Sequence, residues 1–325
     1  MILSVSRRTD IPAFYPRWFM NRVNEKFVYV RNAFNANQIS NISIDPDVVD
    51  CIVFWTKNPA PLLPYLKTIS DIYNKAFYFQ YSINGYGKEI EPNIPDIGER
   101  INTFKQIADE YGKLKVVWRY DPIFLSPNYS LDWHVRTFNM LFSELKDYTD
   151  TCVISFIDMY AKTIKNIKPY EIKSVDIEEM NFIASEFSKT VQGSDISIKT
   201  CAEGIDLDKY GILHNSCIDR ERIEKIIGCK LKVKQDNQRA YCQCIECADI
   251  GQYNTCQHGC KYCYANFNPS MVTAAVEAHD DNSPLLTGTV SDNCKITNYG
   301  KAKSLKIDIP TKQDEKQIVL FSDLD

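Results

Sequence analysis

Several features that mark other protein classes are scarce or missing in this sequence. No run approaches the roughly 18 consecutive apolar residues of a membrane-spanning helix, so no membrane partner is expected. The N-terminal segment MILSVSRRTD becomes charged too early for a signal peptide, which predicts a cytoplasmic chain. Basic residues are not in excess, because the net charge is −4, and nucleic acid is therefore a less favoured partner.

Histidine is also scarce, at four residues, whereas cysteine is abundant, at twelve. In a reducing compartment, such abundance indicates metal ligation or redox chemistry before disulfides. Cys51 and Cys152 lie in the apolar runs CIVFW and CVISF, and each is interpreted as a small buried hydrophobe. Most of the others are crowded between Cys201 and Cys263, which predicts a metal-binding region there.

Short runs rich in β-branched and aromatic residues predict buried strands, and amphipathic stretches between them predict helices. This alternation indicates parallel βαβ units, in a partial barrel or in a doubly wound sheet. The strand candidates are 1–6, 26–30, 51–55, 76–83, 114–119, 152–157 and 195–201, and the helix candidates are 59–73, 95–112, 131–146, 176–191 and 217–227.

The composition changes after Gly228, which predicts three regions along the chain. Residues 1–228 form the predicted β/α domain, and residues 229–267 form a Cys-rich cluster-binding extension. Residues 268–325 are predicted to be a polar tail with one late strand candidate at 318–321.

Cys256, Cys260 and Cys263 follow the spacing Cys-x3-Cys-x2-Cys. Three thiolates on one loop can hold three irons of a four-iron, four-sulfur (4Fe-4S) cluster and leave the fourth iron open. S-adenosylmethionine (SAM) can bind that open iron, and Tyr262 is placed to pack near its adenine. The alternative is a zinc site, which needs four ligands and could recruit His258 or Cys247.

The segment CQHGCKYCYAN resembles the cluster-binding loop of the radical SAM superfamily, including the aromatic residue before the third cysteine. Its surroundings, with the segment from FQYSINGYG to VVWRYDPI, are most similar to the spore photoproduct lyase-like branch. In most radical SAM proteins the triplet follows the first strand, whereas here it follows nearly all strand candidates. Together with SVSRRTDIPAFYPRWF, this order resembles an uncharacterised bacterial family with the cluster motif at its C-terminal end.

The resemblance implies an incomplete TIM-type β/α barrel that is circularly permuted. It implies an enzyme that cleaves SAM reductively to a 5′-deoxyadenosyl radical, which abstracts hydrogen from an unknown substrate. The implied partners are SAM, that substrate and an electron donor such as flavodoxin or ferredoxin. Two alternatives stay open: a DNA lesion repair lyase of the spore photoproduct type, and a zinc-stabilised binding protein without turnover.

A second metal site is predicted from cysteines outside the triplet. The favoured ligand set is Cys201, Cys217, Cys242 and Cys244, with Cys229 and Cys247 as unranked alternates, and it could hold a second iron–sulfur cluster or zinc. Cys217 is expected to open the helix at 217–227, where the helix dipole favours a thiolate. The alternative is that these thiols bind no metal and are simply buried.

The remaining candidates follow strands, because chemistry in a barrel lies at the carboxyl ends of its strands. Ser82 and Asn84 are candidates to hydrogen-bond the ribose or carboxylate of SAM. Arg119 and Asp121 are the candidate catalytic pair, since the lyase-like resemblance also falls there. Lys57 and Glu203 are further candidates, with capping or salt-bridge roles as the alternative. The charged residues at 7, 8 and 10 either recognise an anionic substrate group or form an internal ion pair.

Overall fold

The computed structural model of the protein describes residues 1–236 and 240–307. Within these ranges most strands belong to one large sheet and the rest to a small three-stranded sheet. The strands are β1 (Ile2–Val5), β2 (Phe27–Arg31), β3 (Gln38–Ser43), β4 (Cys51–Thr56), β5 (Phe77–Ser82), β6 (Val116–Ile123), β7 (Thr151–Phe156), β8 (Ser197–Cys201), β9 (Leu213–Asn215), β10 (Ala248–Asp249) and β11 (Lys295–Asn298).

The large sheet has eight strands in the order β10-β1-β4-β5-β6-β7-β8-β9, and every neighbouring pair is parallel. From β1 to β9 the order follows the chain without the reversal that defines a doubly wound sheet. β10 is the exception, because it returns from late in the chain to lie beside β1. The protein is therefore an α/β protein, as predicted. The described residues contain no pairing between β10 and β9, and the barrel shape stays a prediction.

Helices connect most of the parallel strands, as the amphipathic patterns predict. They begin where capping residues satisfy the first backbone N–H groups: Ser130 accepts from Trp133, and Asp176 forms a capping box with Glu179. The helices are α1 (Ile11–Phe14), α2 (Pro16–Glu25), α3 (Leu63–Ile72), α4 (Ile97–Tyr111), α5 (Leu131–Leu145), α6 (Ala161–Ile167), α7 (Ile177–Val191), α8 (Arg220–Ile227) and α9 (Pro269–Glu277), with short 3-10 turns at Ala60–Leu62, Lys113–Lys115, Lys168–Tyr170 and Asp208–Tyr210.

Two sequence-based expectations about these elements are wrong. The candidate at 26–30 does form a strand, but β2 pairs with β3 outside the large sheet, because the short connection between them allows antiparallel pairing. Cys217 does not open α8, because Asp219 is its N-cap and accepts from the backbone N–H groups of Glu221 and Arg222. The helix dipole therefore does not act directly on the Cys217 thiol.

Alternate residues of each strand face opposite sides of the large sheet. Ile52 and Phe54 belong to the larger core, which includes the connecting helices, whereas Cys51 and Val53 belong to a smaller core on the other face. Cys51 and Cys152 are both fully buried, as predicted for small hydrophobes. We call the face of Cys51 and Val53 the inner face. It is covered by the segment 217–247 through Cys217, Ile218, Ile223, Leu231, Cys242, Cys244 and Ile245.

Residues 268–307, which fall in the predicted tail, contribute structure to the fold. β11 extends the small sheet by pairing in parallel with β3. Leu285 and Leu286 are buried, and the Trp18 indole donates to the carbonyls of Ser283 and Leu285. The strand candidate at 318–321 lies outside the described residues. In the described ranges, we find no helix with the length and apolar character needed to cross a membrane.

Candidate functional site

The inner face of the large sheet changes from apolar to polar toward the carboxyl ends of the strands. In β6, Val117 is in the smaller core, and Arg119 and Asp121 follow at two-residue steps on the same face. In β4, the same steps lead from Val53 to Lys57, just past the strand end. Ligands of parallel sheets bind at this edge. The polar edge, as we name it, contains Ser4, Trp55, Lys57, Gln80, Ser82, Arg119, Asp121 and Ser155.

The segment that carries the cysteine triplet reaches this edge through β10. Asp249, at the end of β10, accepts hydrogen bonds from the Ser4 and Ser6 hydroxyls at 2.8 and 2.7 Å. Arg7 and Arg8 lie near the same carboxylate, with side-chain nitrogens at 3.8 and 4.0 Å. Their contacts favour the internal ion-pair interpretation of these arginines. The end of β10 is thereby fixed against the end of β1.

Asp10 joins the triplet loop (residues 256–263) to the sheet. One carboxylate oxygen accepts from the backbone N–H of Ala13, and the other accepts from the Lys57 N–H and from His258 Nε2, each at 2.7 Å. Because a carboxylate only accepts, the His258 proton lies on Nε2. The other ring nitrogen, Nδ1, is buried and has no hydrogen-bond partner among the described residues.

The loop after β5 lies against the other side of the triplet loop. The Asn93 N–H donates to the His258 carbonyl at 3.2 Å, and the Lys261 N–H donates to the Ile90 carbonyl at 3.0 Å. Gly259 has φ +72°, and a Cβ there would lie 3.1 Å from the Pro92 ring. Both the left-handed backbone and the close approach require glycine at this position.

The three triplet thiols are close enough to influence one another. The pKa of Cys256 is raised to about 12, mainly by burial and to a smaller extent by the neighbouring Cys263 and Asp10. Burial also raises the pKa of Cys260, to which Glu91 and the other two triplet thiols contribute. Within the described ranges, no three His, Cys, Asp or Glu side chains converge as ligands of one metal ion. A four-iron cluster does not need such convergence, because each thiolate binds a different iron. Three thiols on one loop are the type of donor that an iron–sulfur cluster takes.

Glu91 is the centre of a buried charged group beside Cys260. Its carboxylate lies 3.0 Å from Lys57 Nζ and 3.8 Å from an Arg100 nitrogen, and it accepts a hydrogen bond from the Tyr262 hydroxyl. Although burial raises the pKa of Glu91, Lys57 and Arg100 lower it more, and the net shift is downward. One Glu91 oxygen and two Arg100 nitrogens are buried without a hydrogen-bond partner in the described structure, whereas Lys57 Nζ is paired with the other Glu91 oxygen. Such unused capacity is typical of groups that bind a polar ligand.

Sequence reasoning missed both Glu91 and Arg100 as site residues. Arg100 carried a signal, because it lies in α4 between Ile97 and Phe104, on the apolar stripe of that helix. A charged residue on a buried stripe needs a buried partner, and the acidic loop GKEIEPN just before the helix supplies Glu91.

The predicted SAM-binding residues have different surroundings. Tyr262 packs among Tyr86 and Phe124, with ring centroids about 6 Å away, and its hydroxyl binds Glu91. The Asn84 side chain bonds both backbone groups of Asp121, donating at 2.9 Å and accepting at 3.0 Å. Asn84 thus connects the ends of β5 and β6. Ser82 is partly exposed at the end of β5.

Arg119 and Asp121, the predicted catalytic pair, form a buried ion pair. Arg119 Nε donates to Asp121 at 2.9 Å, and a terminal nitrogen donates to the same oxygen. Although burial raises the pKa of Asp121, Arg119 and the Ser155 hydroxyl lower it more, so the carboxyl stays ionised. Arg119 also donates to Gln80 at 3.2 Å and to the sulfur of Cys217 at 3.0 Å. The pair therefore connects the polar edge to the other cysteines.

Cys201, Cys217, Cys242 and Cys244 meet on the inner face, and we call them the thiol cluster. The sulfurs of Cys201 and Cys217 lie 2.7 Å apart without forming a disulfide. Contact with Cys217 is the largest influence on two neighbouring thiols, since it raises the pKa of Cys201 and lowers that of Cys244. The predicted set is thus brought together from separate parts of the chain.

Glu203 follows Cys201 and accepts from the Phe156 N–H at 2.9 Å. Burial raises the pKa of Glu203 to about 7.

Two cavities, of about 400 and 270 Å³, open away from the candidate site. One lies beside α7 and β8, and the other lies beside Glu89, Tyr129 and Tyr170. Neither is lined by a cysteine, so the candidate site rests on its side-chain arrangement.

Comparison with known proteins identifies a family for this chain. No curated protein and no solved structure matches the chain at a significant level. A family model described as a domain of unknown function, DUF1848, matches residues 2–265, which include every strand of the large sheet and the whole triplet loop. Because this match covers most of the sequence, the chain belongs to the DUF1848 family.

Proposed function

We propose that the protein is a radical SAM enzyme whose cluster is held by Cys256, Cys260 and Cys263. The observation that carries the proposal is the position of this triplet at the carboxyl edge of a parallel sheet, beside the buried group around Glu91. A 4Fe-4S cluster with one iron open to SAM supplies the electron that breaks a carbon–sulfur bond and yields the 5′-deoxyadenosyl radical. The substrate from which that radical abstracts hydrogen is not specified by any described residue.

The strand order supports a partial, circularly permuted barrel as the scaffold of this enzyme. β10 leads directly into the triplet and pairs with β1, so it occupies the place that a first strand would have in an unpermuted chain. The following strands succeed one another in chain order up to β9, as in a β/α barrel. This order places the triplet beside Lys57 and Glu91 although they are far apart in sequence.

The residues beside the triplet have chemistry that suits the methionyl part of SAM. Lys57 and Arg100 offer buried cationic donors for its carboxylate, and Glu91 offers an acceptor for its amino group. Tyr262 holds Glu91 through its hydroxyl and gives the triplet loop an aromatic wall. Ser82, half-buried at the polar edge, offers a hydroxyl for the ribose. Asn84 orients Asp121, and Arg119 holds it as an anion.

The proposed reaction also needs shielding from water and a source of electrons. Radical chemistry needs a site closed to water, to which the buried aromatic residues Tyr86 and Phe124 contribute beside the half-buried triplet loop. The reducing electron comes from a donor such as flavodoxin or ferredoxin.

A spore photoproduct-type DNA lesion lyase is a narrower form of the same proposal. The net charge of −4 gives that narrower form no support.

One observation favours a second candidate, a zinc-stabilised protein without turnover. His258 bonds Asp10 through Nε2 and leaves Nδ1 buried without a hydrogen-bond partner in the described structure. Metal-bound histidines characteristically donate their other ring N–H to a carboxylate in this way. With the three cysteines, His258 would complete a Cys3His set for zinc.

The two candidates are separated by anaerobic reconstitution with iron and sulfide, followed by an assay of SAM cleavage with dithionite. We expect a brown protein that forms 5′-deoxyadenosine, and we expect the variant Cys256→Ala, Cys260→Ala, Cys263→Ala to form none. Cys229→Ala is the matched control, because Cys229 follows α8 outside both cysteine groups, and it should keep wild-type cleavage. A colourless protein that binds zinc, loses it in His258→Ala and leaves SAM intact would establish the second candidate instead.

A further inference from the structure

The thiol cluster has the features of a metal site separate from the triplet. Cys217, Cys242 and Cys244 are at most 9% exposed, and Cys201 packs against the same core. They come from the end of β8, the segment before α8 and the chain that precedes β10. Four thiols gathered from distant segments in one buried place are typical of a structural or electron-transfer metal site.

Cys217 is held in place from several directions. Its carbonyl accepts hydrogen bonds from the Tyr78 hydroxyl and from Gln80 Nε2, each at 2.7 Å. Its sulfur accepts from Arg119 at 3.0 Å. Tyr78 and Gln80 belong to β5 and Arg119 belongs to β6, so two central strands position one cysteine. A thiol that is only filling space needs no such arrangement.

The loops that carry the other cysteines approach one another closely. Gly204, just after Cys201, lies under the ring of Tyr241, just before Cys242, and a Cβ at Gly204 would meet that ring at 3.0 Å. The Ile218 N–H points to the sulfur of Cys244 at 3.4 Å. Backbone and guanidinium N–H groups directed at sulfur are the donors that stabilise thiolates bound to a metal.

A second arginine, Arg7, lies near Trp55, as Arg119 does. Arg7 donates to the sulfur of Cys247 at 3.3 Å, and both Arg7 and Arg119 lie within 6 Å of the Trp55 ring. Four thiolates around either a four-iron cluster or zinc leave a net negative charge, which such guanidinium donors offset.

We propose that Cys201, Cys217, Cys242 and Cys244 bind a metal centre through four thiolates, independently of the triplet. The shared chemistry is four-thiolate ligation, and the occupant is a second iron–sulfur cluster or zinc. This site does not depend on the function proposed for the triplet.

The test is metal analysis in a chain that lacks the triplet thiols. The variant Cys256→Ala, Cys260→Ala, Cys263→Ala is purified without oxygen, reconstituted, and analysed for iron, sulfide and zinc per chain. We expect about four irons with sulfide, or in the zinc case about one zinc, to remain. Adding Cys217→Ala should remove that metal, whereas adding Cys229→Ala should not.

Either of two results would overturn the proposal. One is a folded triplet variant that binds no metal, whether its thiols are reduced or Cys201 and Cys217 form a disulfide. The other is metal that survives Cys217→Ala unchanged. If the triplet variant fails to fold, wild type and Cys217→Ala are compared instead, and an equal metal content contradicts the site. Loss of SAM cleavage in wild type would count against the proposed function alone, because this metal count does not involve SAM.

Discussion

The triplet loop and the thiol cluster both lie against one parallel sheet, yet they are assembled differently. The triplet occupies a single loop and is bordered by charged groups, with Glu91, Lys57 and Asp10 supplied by other segments. The thiol cluster is gathered from separate segments and is bordered by the smaller apolar core and by Arg119. The first arrangement provides unsatisfied polar groups for a ligand. The second provides thiols in a buried and largely satisfied setting, which suits a centre that no substrate reaches.

The largest expected effect comes from removing the charge at the centre of the triplet surroundings. Glu91→Gln leaves Lys57 and Arg100 buried without a counter-charge, and we expect the free energy of unfolding to fall by about 3–5 kcal/mol. Urea unfolding of the reduced, metal-free protein measures the change. Glu89→Gln is the control, because this exposed residue of the same loop should have a much smaller effect. Similar losses for both variants would show that Glu91 is not an electrostatic centre.

Acid pH should lower the stability of the protein through His134, whose ring packs edge-on against Tyr86 and Trp133. Its Nε2 donates to the Phe124 carbonyl, so the Tyr120 hydroxyl donates to Nδ1, and burial lowers the pKa of His134 to about 4. Between that pKa and about pH 6.5, the unfolded chain therefore binds more protons than the folded protein does. Stability falls as the pH drops through this range, by about 2 kcal/mol from pH 7 to pH 5.

Unfolding measured across that pH range in wild type and in His134→Gln tests this prediction. The variant lacks the titrating ring, so its stability should depend less on pH than that of wild type. Equal pH slopes in the two proteins would show that the His134 ring does not carry the dependence.

The smallest expected effects sharpen the comparison by separating the two cysteine groups. Tyr262→Phe removes the hydroxyl that donates to Glu91, and Tyr78→Phe removes the hydroxyl that donates to the Cys217 carbonyl. Each should cost about 1 kcal/mol of stability. Metal retention in the presence of a chelator should drop at the triplet in the first variant and at the thiol cluster in the second. Parallel losses at both sites in either variant would mean that the two groups are not independent.

The sequence predicts most of the large sheet, because its strands are short apolar runs between amphipathic helices. β3 and β9 were not predicted: Gln38–Ser43 has only isolated apolar residues, and Leu213–Asn215 is three residues long. β10 was not predicted either, since two residues carry no periodic pattern. Such strands are defined by the neighbour with which they pair, and a local pattern cannot supply that information.

The same distinction applies to the candidate site. The spacing of the triplet is local and was readable directly. Grouping Cys201 with Cys217, Cys242 and Cys244 depends on which strand ends meet, and no local pattern shows that. The hydrogen bond between Asp10 and His258 likewise joins residues that are 248 positions apart. The charges around Glu91 come together only once β4, β5 and α4 are in place.

β10 lies late in the chain although it pairs with β1, and this separation affects how the sheet forms during translation. β1 leaves the ribosome well before β10, because Asp249, which fixes the end of β10 to Ser4, lies 245 residues later. The strands from β1 to β9 can associate during translation, while the edge of β1 waits for its last neighbour. The triplet loop therefore reaches the sheet only after the strands from β1 to β9 have been synthesised. A chain that is cut short before β10 would retain most of the sheet but would give the cell's metal-insertion machinery no triplet loop to load.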